Sequence, residues 1–282
     1  MMRRLLACAV LFLLPACAQA EDNSIYTRWA AYYAADAAPE QLQMFDLLVL
    51  DAEYHPPLRP LLSNSRVVLA YLSLGEAQMD HRAGKMLADS NLLVRENKDW
   101  NSHVIDIRNP AWMAMVIEQL VPSLLQQGFD GVMLDTIDSA IALEQQDKVK
   151  YAGMQDAAVQ LIHTLRENYP EMKIMINRGF EILPRVAADL DMVLAESIFT
   201  QYDFKTKKYT RVQDSHYRSI VDLLKKQDDV NPRLRFYSLD YWPLEDAAGV
   251  RAIYAAQREN GLVPYVATLD LNKLVAEPGA AQ

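Results

Sequence analysis

The sequence predicts a single (β/α)8 TIM barrel of the α/β class. Three observations lead there: short apolar runs alternate with longer helical patterns, eight such runs occur, and no glycine-rich phosphate loop follows any of them. Strands alternating with helices imply a parallel sheet, and eight strands in roughly 250 residues is the usual size of one barrel. A doubly wound open sheet is the competing architecture, but the lack of Gly-x-Gly-x-x-Gly after any run removes the commonest ligands of open sheets.

The runs are Arg28–Tyr33, Asp46–Asp51, Val67–Leu74, Gly131–Asp135, Lys173–Asn177, Met192–Ser197, Arg235–Leu239 and Val263–Leu269. Gly131 to Leu134 is apolar throughout, as expected of a strand that helices cover on both faces. Helical patterns fall near Pro110–Gln127, Tyr151–Asn168, Glu181–Ala188, Arg211–Gln227 and Glu245–Asn260. Asn109-Pro110 is a start signal for the first, Gly261 a stop signal for the last, and Pro122 should kink or shorten its helix. The polar stretch from Gln78 to Asn101 and the short run His103–Ile107 read as a long loop over the barrel mouth.

The ends read differently from the middle. Residues 1–20 have a basic start, an apolar stretch too short to span a bilayer and small residues before Glu21, the pattern of a secretory signal peptide. Ala18-Gln19-Ala20 suits signal-peptidase cleavage; the alternative is a lipoprotein box, Leu14-Pro15-Ala16-Cys17, with a lipid anchor on Cys17. The expected product is exported, periplasmic or extracellular, with a barrel domain over 21–277 and a frayed tail over 278–282. Both cysteines, Cys8 and Cys17, lie in the leader, so cleavage after Ala20 excludes disulfides and cysteine nucleophiles.

The chain carries 28 basic and 37 acidic residues, a net charge of −9, and losing Arg3 and Arg4 makes it more negative. That balance argues against nucleic acid or an anionic membrane as partner and is compatible with a cationic ligand. No later segment is long and apolar enough to cross a membrane.

Polar groups gather where predicted strands end: Asp51, Glu76, Asp135, Asn177, Glu196 and Asp240. In barrels that rim is where ligands bind. A rim rich in carboxylates is what glycoside cleavage needs, one to attack or assist at the anomeric carbon and a second to protonate the leaving oxygen. Asp135 and Asp138 leave the sheet after an apolar strand, although Asp135 also suits a turn cap. Glu196 follows Met192 to Ala195, where burial would favour a protonated acid; pairing with Arg178 or Lys205 is its structural alternative. Tyr33, Tyr202, Tyr241 and Trp242 could offer faces to sugar rings. The five histidines form no His-x-x-x-His pair, so neither metal nor cofactor is expected, and Ser73, Ser139 and Ser197 lack a nucleophile elbow.

Five ordered motifs carry a resemblance: Tyr71-Leu-Ser-Leu-Gly-Glu-Ala77, Val104-Ile-Asp-Ile-Arg-Asn-Pro-Ala-Trp112, Gly128-Phe-Asp-Gly-Val-Met-Leu-Asp-Thr-Ile-Asp138, Asn177-Arg-Gly-Phe-Glu181 and Ala195-Glu-Ser197. Over about Arg28 to Leu274 the chain resembles glycoside hydrolase family 114, which contains endo-α-1,4-polygalactosaminidases and has the hydrolase domain of Pel-polysaccharide biosynthesis as a relative. The resemblance implies a TIM barrel that cuts α-1,4-linked galactosamine or N-acetylgalactosamine polysaccharide internally. It implies Asp135 and Glu196 as the catalytic pair, nucleophile and acid/base in a retaining mechanism. Asp51, Glu76, Asp106, Arg108, Asn177 and Asp240 become candidates for binding sugar hydroxyls or amines. The segment after Glu76, Ala-Gln-Met-Asp-His-Arg82, is less acidic and aromatic than expected of members acting on this polymer. A barrel that binds glycan without cutting it, or a hydrolase of another hexosamine-containing exopolysaccharide, are the alternatives.

Overall fold

The computed structural model describes residues 26–63 and 65–279; the leader, with Cys8 and Cys17, lies outside them, as do the last three residues. Eight strands form one sheet: β1 (Trp29–Tyr32), β2 (Leu47–Leu50), β3 (Val67–Ser73), β4 (Gly131–Asp135), β5 (Lys173–Asn177), β6 (Met192–Glu196), β7 (Arg235–Tyr241) and β8 (Val263–Ala267). Sheet order equals chain order and every pairing is parallel. The sheet curls into a nearly closed TIM barrel. Among the described residues no ladder joins β8 to β1. Two hydrogen bonds cross that seam instead, from Trp29 Nε1 to the Val263 carbonyl (2.9 Å) and from the Tyr33 amide to the Leu271 carbonyl (2.8 Å).

Successive side chains on a strand point to opposite faces, and one parity fills the barrel interior in layers. Near the strand starts Trp29 meets Tyr237 and Tyr265 ring to ring, at 5.6 and 5.5 Å between centroids, and all three are buried. On β4 and β6, Met133 and Leu194 face inward and Asp135 and Glu196 follow two residues later, all four lining the mouth. The polar rim is therefore the top layer of a stack whose lower layers are apolar.

The helices follow the predicted order with shorter bounds: Met154–Asn168, Asp214–Lys225 and Ala247–Glu259, while the expected helix over 181–188 contracts to Leu183–Val186 plus a 3-10 turn. Asn109 caps the first long helix by accepting from the Ala111 amide (2.9 Å). That helix is Pro110–Met115, then a π turn over Val116–Leu120, then Val121–Gln127. Pro122 has no N–H to give, and the wider turn, in which Val121 N–H reaches back to Val116 O, takes up the irregularity. The helix Ile137–Gln146 was not among the predicted ones.

Two additions stand on the rim. The stretch expected as a loop after β3 is folded: a helix over Arg82–Leu87 and a three-stranded antiparallel sheet in which Ser102–Ile105 pairs with both Glu76–Gln78 and Leu93–Asn97. After β6 a hairpin pairs Thr200–Asp203 with Lys208–Arg211. No helix among the described residues is long and apolar enough to cross a membrane.

Candidate active site

The mouth holds a cleft of about 800 Å3, lined at its centre by Tyr33, Tyr71, Asp135, Asn177, Glu196 and Tyr241. Asp135 ends β4, Asn177 ends β5 and Glu196 ends β6. Each is followed at once by a residue in the left-handed region: Thr136 (φ 63°), Arg178 (φ 55°) and Ser197 (φ 56°). Such a conformation is uncommon without glycine and costs of order 1–3 kcal/mol at each position. It turns the chain sharply off the sheet. Neighbouring strands hold the three turns: Leu74 N bonds to Asp135 O (2.9 Å), Arg178 N to Leu194 O (2.9 Å) and Ser197 N to Leu239 O (2.8 Å). Thr136 Oγ1 also accepts from the Gly75 and Glu76 amides at 2.9 and 3.1 Å. At Gly75 a Cβ would stand 2.1 Å from the Thr136 carbonyl oxygen, so the approach of these two segments requires glycine.

One amide joins the two acids. Asn177 Nδ2 donates to Asp135 Oδ1 at 2.8 Å and to Glu196 Oε2 at 2.5 Å, so those oxygens are no further apart than the two bonds end to end. Tyr241 donates to Glu196 Oε1 at 2.6 Å, and the Tyr71 hydroxyl faces Asp135 and favours its ionised form. Burial first, and the charge of Glu196 second, raise Asp135 to about 7, against the pull of the Tyr71, Thr136 and Asn177 donors. Burial beside the same carboxylates holds the Tyr33, Tyr71 and Tyr241 phenols well above their usual range, so all three remain protonated at neutral pH. The suggested pairing of Glu196 with Arg178 is absent from this arrangement. Arg178 Nε bonds to Asp138 (2.9 Å) and its Nη1 to the Glu196 main-chain carbonyl (2.9 Å), leaving the Glu196 carboxylate to neutral donors.

Other residues expected at the site divide into two groups. Tyr33, Asp51, Glu76 and Asp138 line the cleft. Asp51 accepts from the Glu53 and Tyr54 amides, both at 2.7 Å, and faces His81 Nε2 at 3.3 Å. Flanked by Asp51 and Asp80, His81 is raised to about 9, with burial opposing, and is an imidazolium at neutral pH. Glu76, buried, accepts from Asn97, Ser102 and Ser139, which clamps the antiparallel insertion to the rim. Asp106, Arg108, Tyr202 and Asp240 stand outside the cleft lining. Asp106 and Arg108 close on each other at 2.8 and 2.7 Å, and Arg108 Nη1 also binds the carbonyls of Lys150 and Ala152. Tyr202 packs edge-on against Phe204 and Tyr209.

Asp240 is the instructive case. The sequence reading ends its strand at Leu239 and treats Asp240 as the first rim residue. Strand β7 continues through Tyr241, so alternation sends Leu239 and Tyr241 inward and Asp240 outward. There it is fully buried, accepting from Thr200 N (2.7 Å), Phe199 N (3.2 Å) and Gln257 Nε2 (2.5 Å). It thereby fixes the base of the hairpin that follows β6.

The glycoside-hydrolase family GH114 model matches residues 15–281. The chain belongs to glycoside-hydrolase family GH114. The glycoside hydrolase domain of PelA from Pseudomonas aeruginosa is similar at 30% identity, with a TM-score of 0.77 over 89% of this chain and 98% of that domain. Aspergillus fumigatus Ega3, solved in complex with galactosamine, shares the fold at 15% identity and a TM-score of 0.64, over 89% of this chain and 94% of that one. An uncharacterized protein of Deinococcus radiodurans is 27% identical over 225 residues, 76% of this chain and 68% of its own length. As a GH114 member the chain is a glycoside hydrolase, which decides against the barrel that binds without cutting. Among the described residues, no three His, Asp or Glu side chains converge on a point that could hold a metal ion.

Several cleft residues were not expected from the sequence, among them Tyr54, Tyr71, His81, Asp99, Trp100 and Phe204. His81 lay in the segment noted only for its departure from the family, and Trp100 and Phe204 lie at the tips of the insertion and the hairpin. No periodicity marks a loop tip, and only the exposure of two large aromatic rings in polar surroundings could have pointed to them.

Proposed function

We propose that this GH114 hydrolase cuts α-1,4-linked galactosamine or N-acetylgalactosamine polysaccharide internally and with retention, using Asp135 as nucleophile and Glu196 as acid/base. The observation that carries the reading is the Asn177 amide bonded to both carboxylates. The two bonds end to end bound the distance between those two oxygens, which supports a pair closer than the roughly 6.5–9.5 Å that leaves room for an inverting water.

In the first step the Asp135 carboxylate forms a bond to the anomeric carbon while Glu196 gives its proton to the departing glycosidic oxygen. In the second, Glu196 takes a proton from water, and that water displaces Asp135 with the original anomeric configuration restored. The chemistry needs one proton on the pair, and the raised Asp135 supports a singly protonated pair near neutrality. The two carboxylates interact, so the proton belongs to the pair rather than to one acid, and the proposed first step requires it on Glu196 once the glycosidic oxygen is docked.

The substrate reading rests on the family resemblance and on charge. Asp51, Glu53, Glu76, Asp80, Asp99, Asp138 and Asp270 join the pair in the lining, against His81, Arg82 and Arg178. A partly deacetylated galactosamine polymer is cationic and suits such a cleft. The leader pattern supports an exported enzyme, periplasmic or extracellular, either free or anchored through Cys17.

The deciding experiment incubates the purified chain with a panel of hexosamine polymers and follows products by mass and NMR. Mid-chain fragments with the α-anomer appearing first are expected, and Asp135→Asn and Glu196→Gln should each lose most turnover while keeping the fold. A β-anomer as first product overturns retention. Full activity in either amide variant removes that residue from the mechanism.

A further inference from the structure

Among the described residues three large aromatic side chains are well exposed, Tyr54 (51%), Trp100 (47%) and Phe204 (40%), and all three line the cleft. Exposed apolar area gathered in one groove marks a binding surface rather than incidental exposure. Tyr54 packs edge-on against His81 at 5.4 Å. Trp100 and Phe204 meet each other, ring to ring at 5.3 Å.

Their origins give that contact its meaning. Trp100 belongs to the insertion after β3 and Phe204 to the hairpin after β6, and in sheet order only β4 and β5 lie between. The contact therefore spans the arc of rim whose strands end in Asp135 and Asn177. Each arm has its own buried carboxylate anchor: Glu76 clamps the insertion through Asn97 and Ser102, and Asp240 holds the hairpin base through Phe199 and Thr200. Glu76, in the cleft lining, and Asp240, outside it, thus fix the two loops that present the rings.

Next to Trp100 in sequence is an exposed carboxylate that, like Asp270, lines the cleft unpartnered among the described residues. Asp51 faces His81, Asp138 is held by Arg178, and Glu76 is filled by hydroxyl and amide donors. Asp99 lines the cleft with no side-chain partner among the described residues.

We infer that Trp100, Phe204 and Asp99 form a subsite for one hexosamine unit of the polymer away from the cleaved bond, the rings stacking on the sugar's apolar face and Asp99 pairing with its ammonium group. This rests on the proposed galactosamine polymer. Aromatic faces attract both the polarised C–H face of a sugar and a nearby cation, and a carboxylate alongside selects the amine over its acetylated form.

The test uses the full chain carrying Asp135→Asn, which binds without turnover, titrated with defined α-1,4-galactosamine oligomers by calorimetry. Adding Trp100→Ala or Phe204→Ala should weaken binding about tenfold, while Trp100→Tyr and Phe204→Tyr should keep most of it. Asp99→Asn should lower affinity for the deacetylated oligomer and not for the fully acetylated one. In the active enzyme, kcat/KM should fall about tenfold more on polymer than on a short oligomer for each alanine variant. Unchanged affinity and unchanged polymer cleavage in both alanine variants overturn the subsite while leaving the proposed function intact. If the parent enzyme neither binds nor cuts any galactosamine polymer, the proposed substrate and this subsite fall together.

Discussion

Tyr241 occupies one oxygen of Glu196 and Asn177 the other, at 2.6 and 2.5 Å, so the carboxylate is oriented by two neutral donors from adjacent strands. Tyr241 belongs to β7, whose Leu239 pairs in register with Glu196 on β6. The phenol stays protonated at any working pH and always presents its O–H.

Tyr241→Phe removes that donor and keeps the ring. Hydrogen bonds to charged groups contribute about 1.5–3 kcal/mol, so kcat/KM should fall roughly 10–100-fold, with a circular dichroism spectrum like the parent's. A loss below threefold would mean that Glu196 is oriented without Tyr241.

Asp135 links pH to both activity and stability. On the proposed mechanism the pair must keep one proton, so turnover should decline as pH rises through about 7, where Asp135 gives up its proton. For stability the sign is set by the raised folded-state value. Below the ordinary 3.8 both folded and unfolded chains hold the proton, and between 3.8 and about 7 only the folded chain does. Stability is therefore lost as pH climbs through that window and is level above it. Asp135→Asn removes the effect, so its melting temperature should match the parent's near pH 4 and exceed it at pH 8. An equal difference at both pH values would refute the linkage.

Asp240→Asn should act through the hairpin. The new amide turns an N–H toward donors that the carboxylate accepts, stranding buried groups at a cost of about 1–3 kcal/mol or more. A lower melting temperature and faster proteolysis within residues 199–212 are expected, measured by calorimetry and limited trypsin digestion. Parent-like digestion would show that the hairpin is held elsewhere.

Gly75→Ala should be more damaging than its size suggests. The added methyl would press on the Thr136 carbonyl, a backbone atom that cannot turn aside, and would displace the strand end carrying Asp135. Thermal stability and kcat should both fall; a parent-like enzyme would refute the close approach.

The sequence carried the parts of this site that depend on strand ends with clear apolar runs. Asp135 and Asn177 end strands with the expected last residues, and Glu196 ends one that stops a residue short of the expected Ser197; parity then places all three in one mouth. Asp240 faces away from the mouth because the strand runs two residues past Leu239, so alternation still governs Asp240 and turns it outward between Leu239 and Tyr241. Asp106 and Arg108 are two positions apart, close enough to satisfy each other, and nothing local distinguishes that from reaching a ligand. The insertion after β3 was taken for loop because its strands are short and mixed in polarity, and their pairing depends on Glu76 and Ser102, which lie far apart in sequence. The helix Ile137–Gln146 escaped because its opening residues were read as part of the turn after Asp135.

The seam between β8 and β1 gives the barrel a direction in which to yield. A cylinder with one unladdered join behaves as a rolled sheet, and strain from crowding at the mouth would be relieved there first, across one indole N–H, one amide and the Trp29–Tyr265 ring contact among the described residues. In the ring that join lies opposite β4 and β5, and β6 follows directly. A polymer wedged into the mouth would therefore spread the wall farthest from Asp135 and Asn177, and the spacing between the two acids would be the last dimension of the barrel to change.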